Sequence, residues 1–244
     1  MPFELALFGV LTGFISGFFG VGGGMILVPM LLMAGFVMKQ AVAISIMQMV
    51  FSSIYGSFLN AKKAKDVLKD GIIIGIGGFV GGLQSGYIVS NVSNETLQYL
   101  FIAILVFAII RIFISPAEQT SEKKSQNKFV LFIIGFCIGI IAMSIGVGGS
   151  IILTPILVGF LKYELKAATA LGLFFVIFSS IAGFTSISLH GQMLFFEGAI
   201  VGMASLVGVY FGIKAKHIVH ATSYKKYILI LNVIILITML YKTI

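Results

Sequence analysis

The chain has 244 residues, 59% of them hydrophobic and 10% charged, with a formal net charge of +8. Soluble domains carry about 25% charged residues, so composition excludes a soluble enzyme and leaves an integral membrane protein with no soluble domain of useful size. The cations stand in short breaks between apolar runs, where membrane orientation explains them and nucleic-acid binding does not.

The first residues, Met1-Pro2-Phe3-Glu4, contain no basic n-region, and the apolar run behind them continues far past signal length. No cleavable secretion signal is expected. Uncharged runs then extend over 5–38, 40–61, 71–94, 96–110, 129–161, 167–196, 198–213 and 227–241. A crossing helix needs ~20 residues at ~1.5 Å each. Six of the runs suit one crossing, the shorter ones by letting flanking Lys or Arg reach the interface. The first and fifth are too long, at ~50 Å of helix against a hydrocarbon core of ~30 Å.

Each long run is interrupted near its middle. The first carries Gly20-Val21-Gly22-Gly23-Gly24 with Pro29 five residues on; the fifth carries Gly146-Val147-Gly148-Gly149-Ser150 with Pro155 five residues on. Glycine and proline release a helix from its hydrogen-bond ladder, so Pro29 and Pro155 are read with the glycines as helix-breaking residues. Broken backbone at membrane depth is tolerated where it is buried in protein or lines a cavity, which makes both interruptions candidate sites. Each long segment is either two short crossings or a re-entrant hairpin of two half-helices.

The halves form a repeat. Gly20 matches Gly146 and Pro29 matches Pro155 at an offset of 126 (146 − 20), and Gly9 and Gly13 fall on Gly135 and Gly139. After one inserted residue, Phe51-Ser52-Ser53-Ile54 matches Phe178-Ser179-Ser180-Ile181 at 127 (178 − 51), Asp70-Gly71 meets Glu197-Gly198, and Gly81 meets Gly208. The expected organisation is an all-α polytopic membrane protein of two repeats. Repeat 1 spans 1–114, with a broken segment at 5–38 and helices at 40–61, 71–94 and 96–114. An exposed linker covers 115–128. Repeat 2 spans 129–244, with a broken segment at 129–161 and helices at 167–189, 198–213 and 227–243.

Charge asymmetry decides the relative orientation of the repeats. If each long run crossed once, the Lys and Arg residues would divide 9 against 7. If it crosses twice or not at all, the second half is inverted. Lys62, Lys63, Lys65, Lys69, Arg111, Lys123, Lys124, Lys128, Lys162, Lys166, Lys214, Lys216, Lys225 and Lys226 then share one side and only Lys39 and Lys242 face the other, 14 against 2. Inverted repeats follow, with both termini outside, the linker cytoplasmic and the chain multi-pass in the cell membrane.

No Lys, Arg, Asp or Glu falls inside an apolar run. A substrate at the midplane is therefore held without a fixed charge, by helix N-terminal amides and short polar side chains. Candidate binding residues are Gly20, Gly22, Gly23, Gly24, Gly146, Gly148, Gly149 and Ser150, with Gln48, Ser52, Ser53, Ser179 and Ser180 on the helices that follow. The counterpart of Gln48 is Phe175 (175 − 48 = 127), so the halves are not chemically equal. The serines serve equally well as bonds back to their own helices. Gly71, Gly75, Gly77, Gly78, Gly81, Gly82 and Gly86, three or four apart, fit close helix packing; the consecutive Gly22-Gly23-Gly24 does not, because consecutive residues share no helix face.

Other chemistries lack their residues. Gly20-x-Gly22 has no preceding strand and no ribose-binding acid, no Gly-Lys-Ser/Thr is present, and no Gly-x-Ser-Gly pairs with a deep His. Cys137 stands alone, which excludes an internal disulfide. His190 lies at a helix boundary and His217 and His220 lie in a loop, so no metal, cofactor or catalytic group is expected. The expected partners are a small anion and the lipid bilayer, with no nucleic acid; a homodimer is compatible with the sequence.

Gly20-Val-Gly-Gly-Gly-Met-Ile-Leu-Val-Pro29, its repeat at Gly146 to Pro155, and the Lys39 and Lys166 segments leading into Ser-Ser helices resemble the sulfite exporter TauE/SafE family, also called the toluene-sulfonate uptake permeases. The resemblance covers almost the whole chain. It implies a carrier for sulfite, sulfonates or related organosulfur anions; alternating access around the two broken segments is the expected mechanism. Two departures stand out. The Thr-Ser often found after the motif's Ala is Ile44-Ser45 in one half and Leu171-Gly172 in the other, and the second motif ends in Ser150. Lys39 outside and Lys162 or Lys166 inside are placed to draw anions to the two mouths. A passive channel for a small anion or neutral solute, and a non-transporting membrane scaffold, are the alternatives.

Overall fold

The computed structural model describes residues 2–20, 22–60, 68–114, 127–163, 165–216 and 221–243. Lys62, Lys63, Lys65, Lys123, Lys124, His217, His220 and the linker residues 115–126 lie outside the described residues. The described residues form helices α1 (Pro2–Phe19), α2 (Gly24–Met33), α3 (Met38–Asn60), α4 (Leu68–Gly82), α5 (Ser85–Asn91), α6 (Asn94–Ile114), α7 (Lys128–Ile145), α8 (Ser150–Gly159), α9 (Leu165–Leu189), α10 (Phe195–Lys216) and α11 (Ala221–Thr243). Among the described residues, six stretches are long and apolar enough to cross a membrane: α1, α3, α4 with α5, α7, α9 and α10. Helices suit an apolar surround because they satisfy their own backbone groups.

The helix bounds repeat as closely as the glycines do. Moving α1 and α2 by 126 gives the bounds of α7 and α8, and moving the starts of α3 and α6 by 127 gives those of α9 and α11. One expected helix differs. The 71–94 span is two helices, α4 and α5, parted by a turn at Leu83-Gln84. Ser186 of α9 stabilises that turn: its hydroxyl donates to the Leu83 carbonyl at 2.6 Å and accepts from the Gly86 amide at 2.9 Å. The linker also ends earlier than expected, because α7 starts at Lys128 behind Asn127, whose side chain accepts the Phe129 amide at 2.9 Å.

Glycines set which helices touch. Gly9, Gly13 and Gly17 of α1 lie against the backbones of Val201, Ser205 and Val209 of α10, and Gly135 and Gly139 of α7 lie against Ile74 and Gly78 of α4. These contacts are counterparts of each other: Gly9 to Gly135 is a step of 126, and Ile74 to Val201 a step of 127. The first helix of each half is thus packed on the other half. The ascending order of the contacts means that α1 runs parallel to α10 and α7 parallel to α4.

Two further parallel pairs follow in the same way. Gly198, Gly202 and Val209 of α10 meet Met47, Phe51 and Gly56 of α3, while Gly71, Gly75, Gly82 and Gly86 meet Phe174, Phe178, Ala182 and Ser186 of α9. Since α9 and α10 are joined by only residues 190–194, they are antiparallel. Hence α1, α3 and α10 run one way and α4, α7 and α9 the other. Gly71, Gly75, Gly77, Gly78, Gly81, Gly82 and Gly86 all face neighbouring backbone or rings at close range, so the packing role expected of them is their role.

Helices α2 and α8 sit deepest. In α2 only Met30 and Met33 are not buried, and in α8 only Thr154, Ile156 and Gly159. Each starts beside the middle of a long helix and returns to that helix's start, α2 along α3 and α8 along α9. At ~1.5 Å per residue, 10 residues reach ~15 Å, half of a ~30 Å core. Each long segment is therefore folded as a hairpin with one long arm and one half-length arm.

Candidate functional site

The bend of the first hairpin needs four glycines for three different reasons. Gly20 and Gly22 have φ of 69° and 61°, a left-handed conformation that costs other residues free energy. Gly23 is right-handed, at φ −64°, but a Cβ there would stand 2.5 Å from Nε2 and 2.8 Å from Oε1 of Gln48. Gly24 opens α2 against the Gly146 carbonyl oxygen of the other bend, leaving no room for a methyl group. The second bend follows suit. Gly146, Gly148 and Gly149 have φ of 70°, 86° and 67°, and Gly146 caps α7 with its amide and that of Val147 on the Ala142 carbonyl.

The two bends meet. A Cβ on Gly22 would lie 3.6 Å from Gly148 Cα, with Met49 Sδ and Val176 Cγ1 at the same distance. Ser45 Oγ donates to the Gly146 carbonyl at 2.6 Å, fastening α3 of one half to the bend of the other. Gln48 and Met49 are the eleventh and twelfth of 23 residues in α3, so the meeting point lies at half the length of that helix. Amides collect there. Those of Gly22, Gly23 and Gly24, and of Gly148, Gly149 and Ile151, have no acceptor among the described residues. They lead into and open α2 and α8, whose N-caps are Gly23 and Gly149 and whose N-terminal ends carry about half a positive charge.

Side chains around the bends differ between the halves. Gln48 is fully buried, and neither Nε2 nor Oε1 has a partner among the described residues. Its counterpart Phe175 lies with its ring edge where a Cβ of Gly149 would be. Serine and glycine are exchanged in the same sense: the first half has Gly24 beside Ser45, the second has Ser150 beside Gly172. The Ser150 hydroxyl is fully buried and unpartnered.

Several expectations are corrected. Pro29 and Pro155 do not end helices: both lie inside, at the sixth residue of α2 and α8. So near a helix start a proline ring displaces a single backbone bond, to Met25 or Ile151, and burial of the rest of the helix outweighs it. Three of the four candidate hydroxyls are turned to their own helices, Ser52 to the Met49 carbonyl at 3.4 Å, Ser179 to Phe175 at 3.0 Å and Ser180 to Ile177 at 3.2 Å. Only Ser53, buried and unpartnered, keeps its hydroxyl uncommitted. Lys39 is engaged too: its ammonium donates to the Ser90 carbonyl at 3.1 Å, in the last turn of α5, and its amide to Asn94 Oδ1 at 3.0 Å. Ser45 was not singled out as a binding residue; its one signal is its place in the motif, two residues after Ala43.

The helix directions sort the charges. Lys69, Lys128 and Lys162 precede or open α4, α7 and α9, and Lys214 closes α10, so all four lie at one end; Lys39, opening α3, lies at the other. At the first end Tyr163, in the loop after α8, donates its hydroxyl to Asp70 Oδ2 of α4 at 2.8 Å. Burial, then that hydrogen bond and the carboxylate charge, push the Tyr163 phenol well above its ordinary value. The counterparts of Tyr163 and Asp70 are Phe36 and Glu197, so only one end has this pair.

The family model described as "Sulfite exporter TauE/SafE" matches residues 5–239. The chain is 30% identical over 194 residues to a protein described as "Probable membrane transporter protein MJ0441" from Methanocaldococcus jannaschii, covering 75% of this chain and 70% of that one. It is 22% identical over 263 residues to "Probable membrane transporter protein YunE" from Bacillus subtilis, covering 96% and 93%. A "Probable membrane transporter protein" from Haemophilus influenzae is 24% identical over 212 residues, covering 83% and 82%. No solved structure matches the chain at a significant level.

Proposed function

The chain belongs to the sulfite exporter TauE/SafE family of membrane transporters, and from that premise we propose that it carries a small sulfur-containing anion, such as sulfite or a sulfonate, across the cell membrane by alternating access. The observation that carries this reading is the meeting of Gly22 with Gly148 at mid-helix, among buried amides that have no acceptor. Amides of this kind hold an anion without a fixed cation, and they do so best where water is excluded.

The carrier is built from inverted repeats. Support comes from the running directions, since α1, α3 and α10 oppose their counterparts α7, α9 and α4. Rocking of two such halves about a fixed central site would expose it to either side. The end bearing Lys69, Lys128, Lys162 and Lys214 is cytoplasmic, by the excess of cations there.

Purified protein reconstituted into liposomes tests the proposal. Uptake of labelled sulfite, thiosulfate, sulfoacetate or taurine should saturate and show counterflow. Flux that does neither identifies a channel. A panel in which every sulfur anion fails to move or to raise the melting temperature, while a neutral solute succeeds, overturns the substrate class. Wild-type flux from folded protein carrying leucine at Gly22, Gly23 and Gly149 would overturn the site.

A further inference from the structure

We propose that the single anion subsite at the two bends is centred on Gln48 of the first half, and that it selects an anion carrying a hydrogen-bond donor beside its acceptor oxygens. The inference rests on the transport reading above and names the protonation state of the cargo. Both polar ends of Gln48 are buried without partners, against the N-cap glycine of α2. The amide nitrogen offers two donors and the carbonyl oxygen an acceptor, whichever way the amide is turned. A buried polar atom left unpaired is costly, whereas a satisfied one is roughly neutral, so the occupant is the group that pairs both.

A fully deprotonated oxyanion supplies acceptors only. It satisfies the nitrogen and the amides of Gly22 to Gly24 and leaves Oε1 unpaired. A monoprotonated oxyanion, hydrogensulfite in place of sulfite, supplies the missing donor. On the second half Phe175 fills the position equivalent to Gln48, and a ring edge accepts no such group, so the chain binds one ligand rather than two.

Among the described residues, no carboxylate, imidazole or amine stands at the depth of Gln48. Among the elements packed on α3, α2 and the described side chains of α9 bear no ionisable group. Glu4, Glu95, Lys128 and Glu197 stand in the first turns of α1, α6, α7 and α10, and Arg111, Lys214 and Lys216 in the last turns of α6 and α10. Lys39 opens α3 and bonds Ser90; Tyr55 of α3, Tyr99 of α6, Cys137 of α7 and Tyr210 of α10 are the remaining ionisable side chains on these helices.

The test is calorimetric binding of sulfite and methanesulfonate to detergent-solubilised wild-type and Gln48→Met protein at pH 6 and pH 9, with melting temperatures of the ligand-free proteins. Methanesulfonate keeps one charge and no donor at both pH values. Wild type should bind sulfite with a stoichiometry of one and more tightly at pH 6. The ratio of affinities at the two pH values should exceed that of Gln48→Met by roughly tenfold; effects of ligand charge alone cancel in this comparison. Methanesulfonate should show no such ratio, and ligand-free Gln48→Met should melt higher, because an unpaired amide has been replaced by an apolar chain of similar shape. Equal ratios in the two proteins, a lower melting temperature for Gln48→Met, or two ligands per chain would each overturn the proposal. Failure of wild type to bind either anion at either pH would instead overturn the transport reading on which it stands.

Discussion

Gly22 and Gly24 stand two residues apart in one bend, yet a methyl group would cost differently at each. Gly22 has room, with its nearest neighbours 3.6 Å from a Cβ, so Gly22→Ala suffers only the left-handed φ, about 1–2 kcal/mol. Gly24→Ala meets the Gly146 carbonyl oxygen, which is backbone and cannot swing away. Thermal unfolding should place Gly24→Ala clearly below Gly22→Ala; the reverse order would mean that the two bends are not in contact. Tyr163 makes a second prediction. Its folded-state value lies above the unfolded value of about 10, so its contribution is complete below pH 10 and is lost as pH rises through the folded value. Melting curves should fall off on the alkaline side in wild type and less so in Tyr163→Phe. These roles were only partly legible. Three glycines in a row announce a bend, but that Gly23 makes room for Gln48 and Gly24 for Gly146 depends on residues 25 and 122 positions away. The hydroxyls of Ser52, Ser179 and Ser180 were undecidable from type alone, since a serine in an apolar helix bonds its own backbone as readily as a ligand.

At the scale of elements, the half-length arms α2 and α8 explain why proline is tolerated. Pro29→Ala restores an amide donor for the Met25 carbonyl and changes no break, so the variant should fold with an equal or higher melting temperature and keep its flux. Loss of folding would return Pro29 to a helix-breaking role. Packing of α1 on α10 is the opposite case. Gly13 has Ser205 backbone where a side chain would go, and Gly13→Leu should cost more than about 3 kcal/mol by pushing two helices apart. The helices themselves were readable from charge-free runs and the shared offset, because lipid allows few alternatives to a helix. The pairing of α1 with α10 was not readable, because spacing by four gives a glycine stripe without naming its partner. The turn between α4 and α5 was hidden for a similar reason, as it depends on Ser186, about a hundred residues downstream.

For the whole molecule, orientation can be checked directly. In a Cys137→Ala background, cysteines placed at Lys69, Lys162 and Lys214 should react with an impermeant thiol reagent from one face of the membrane, and cysteines at Lys39 and Lys242 from the other. A mixed pattern would sink the two-end division of charge. The exchange of first helices between halves also bears on biogenesis. Gly9 finds its seat on Val201, 192 residues later (201 − 9), so α1 leaves the ribosome long before anything exists for it to rest against. Contacts this distant slow assembly. The nascent N-terminal half has to be held by the insertion machinery or by lipid until the final third of the chain is made, and two co-expressed half-chains would have to interlock rather than merely dock.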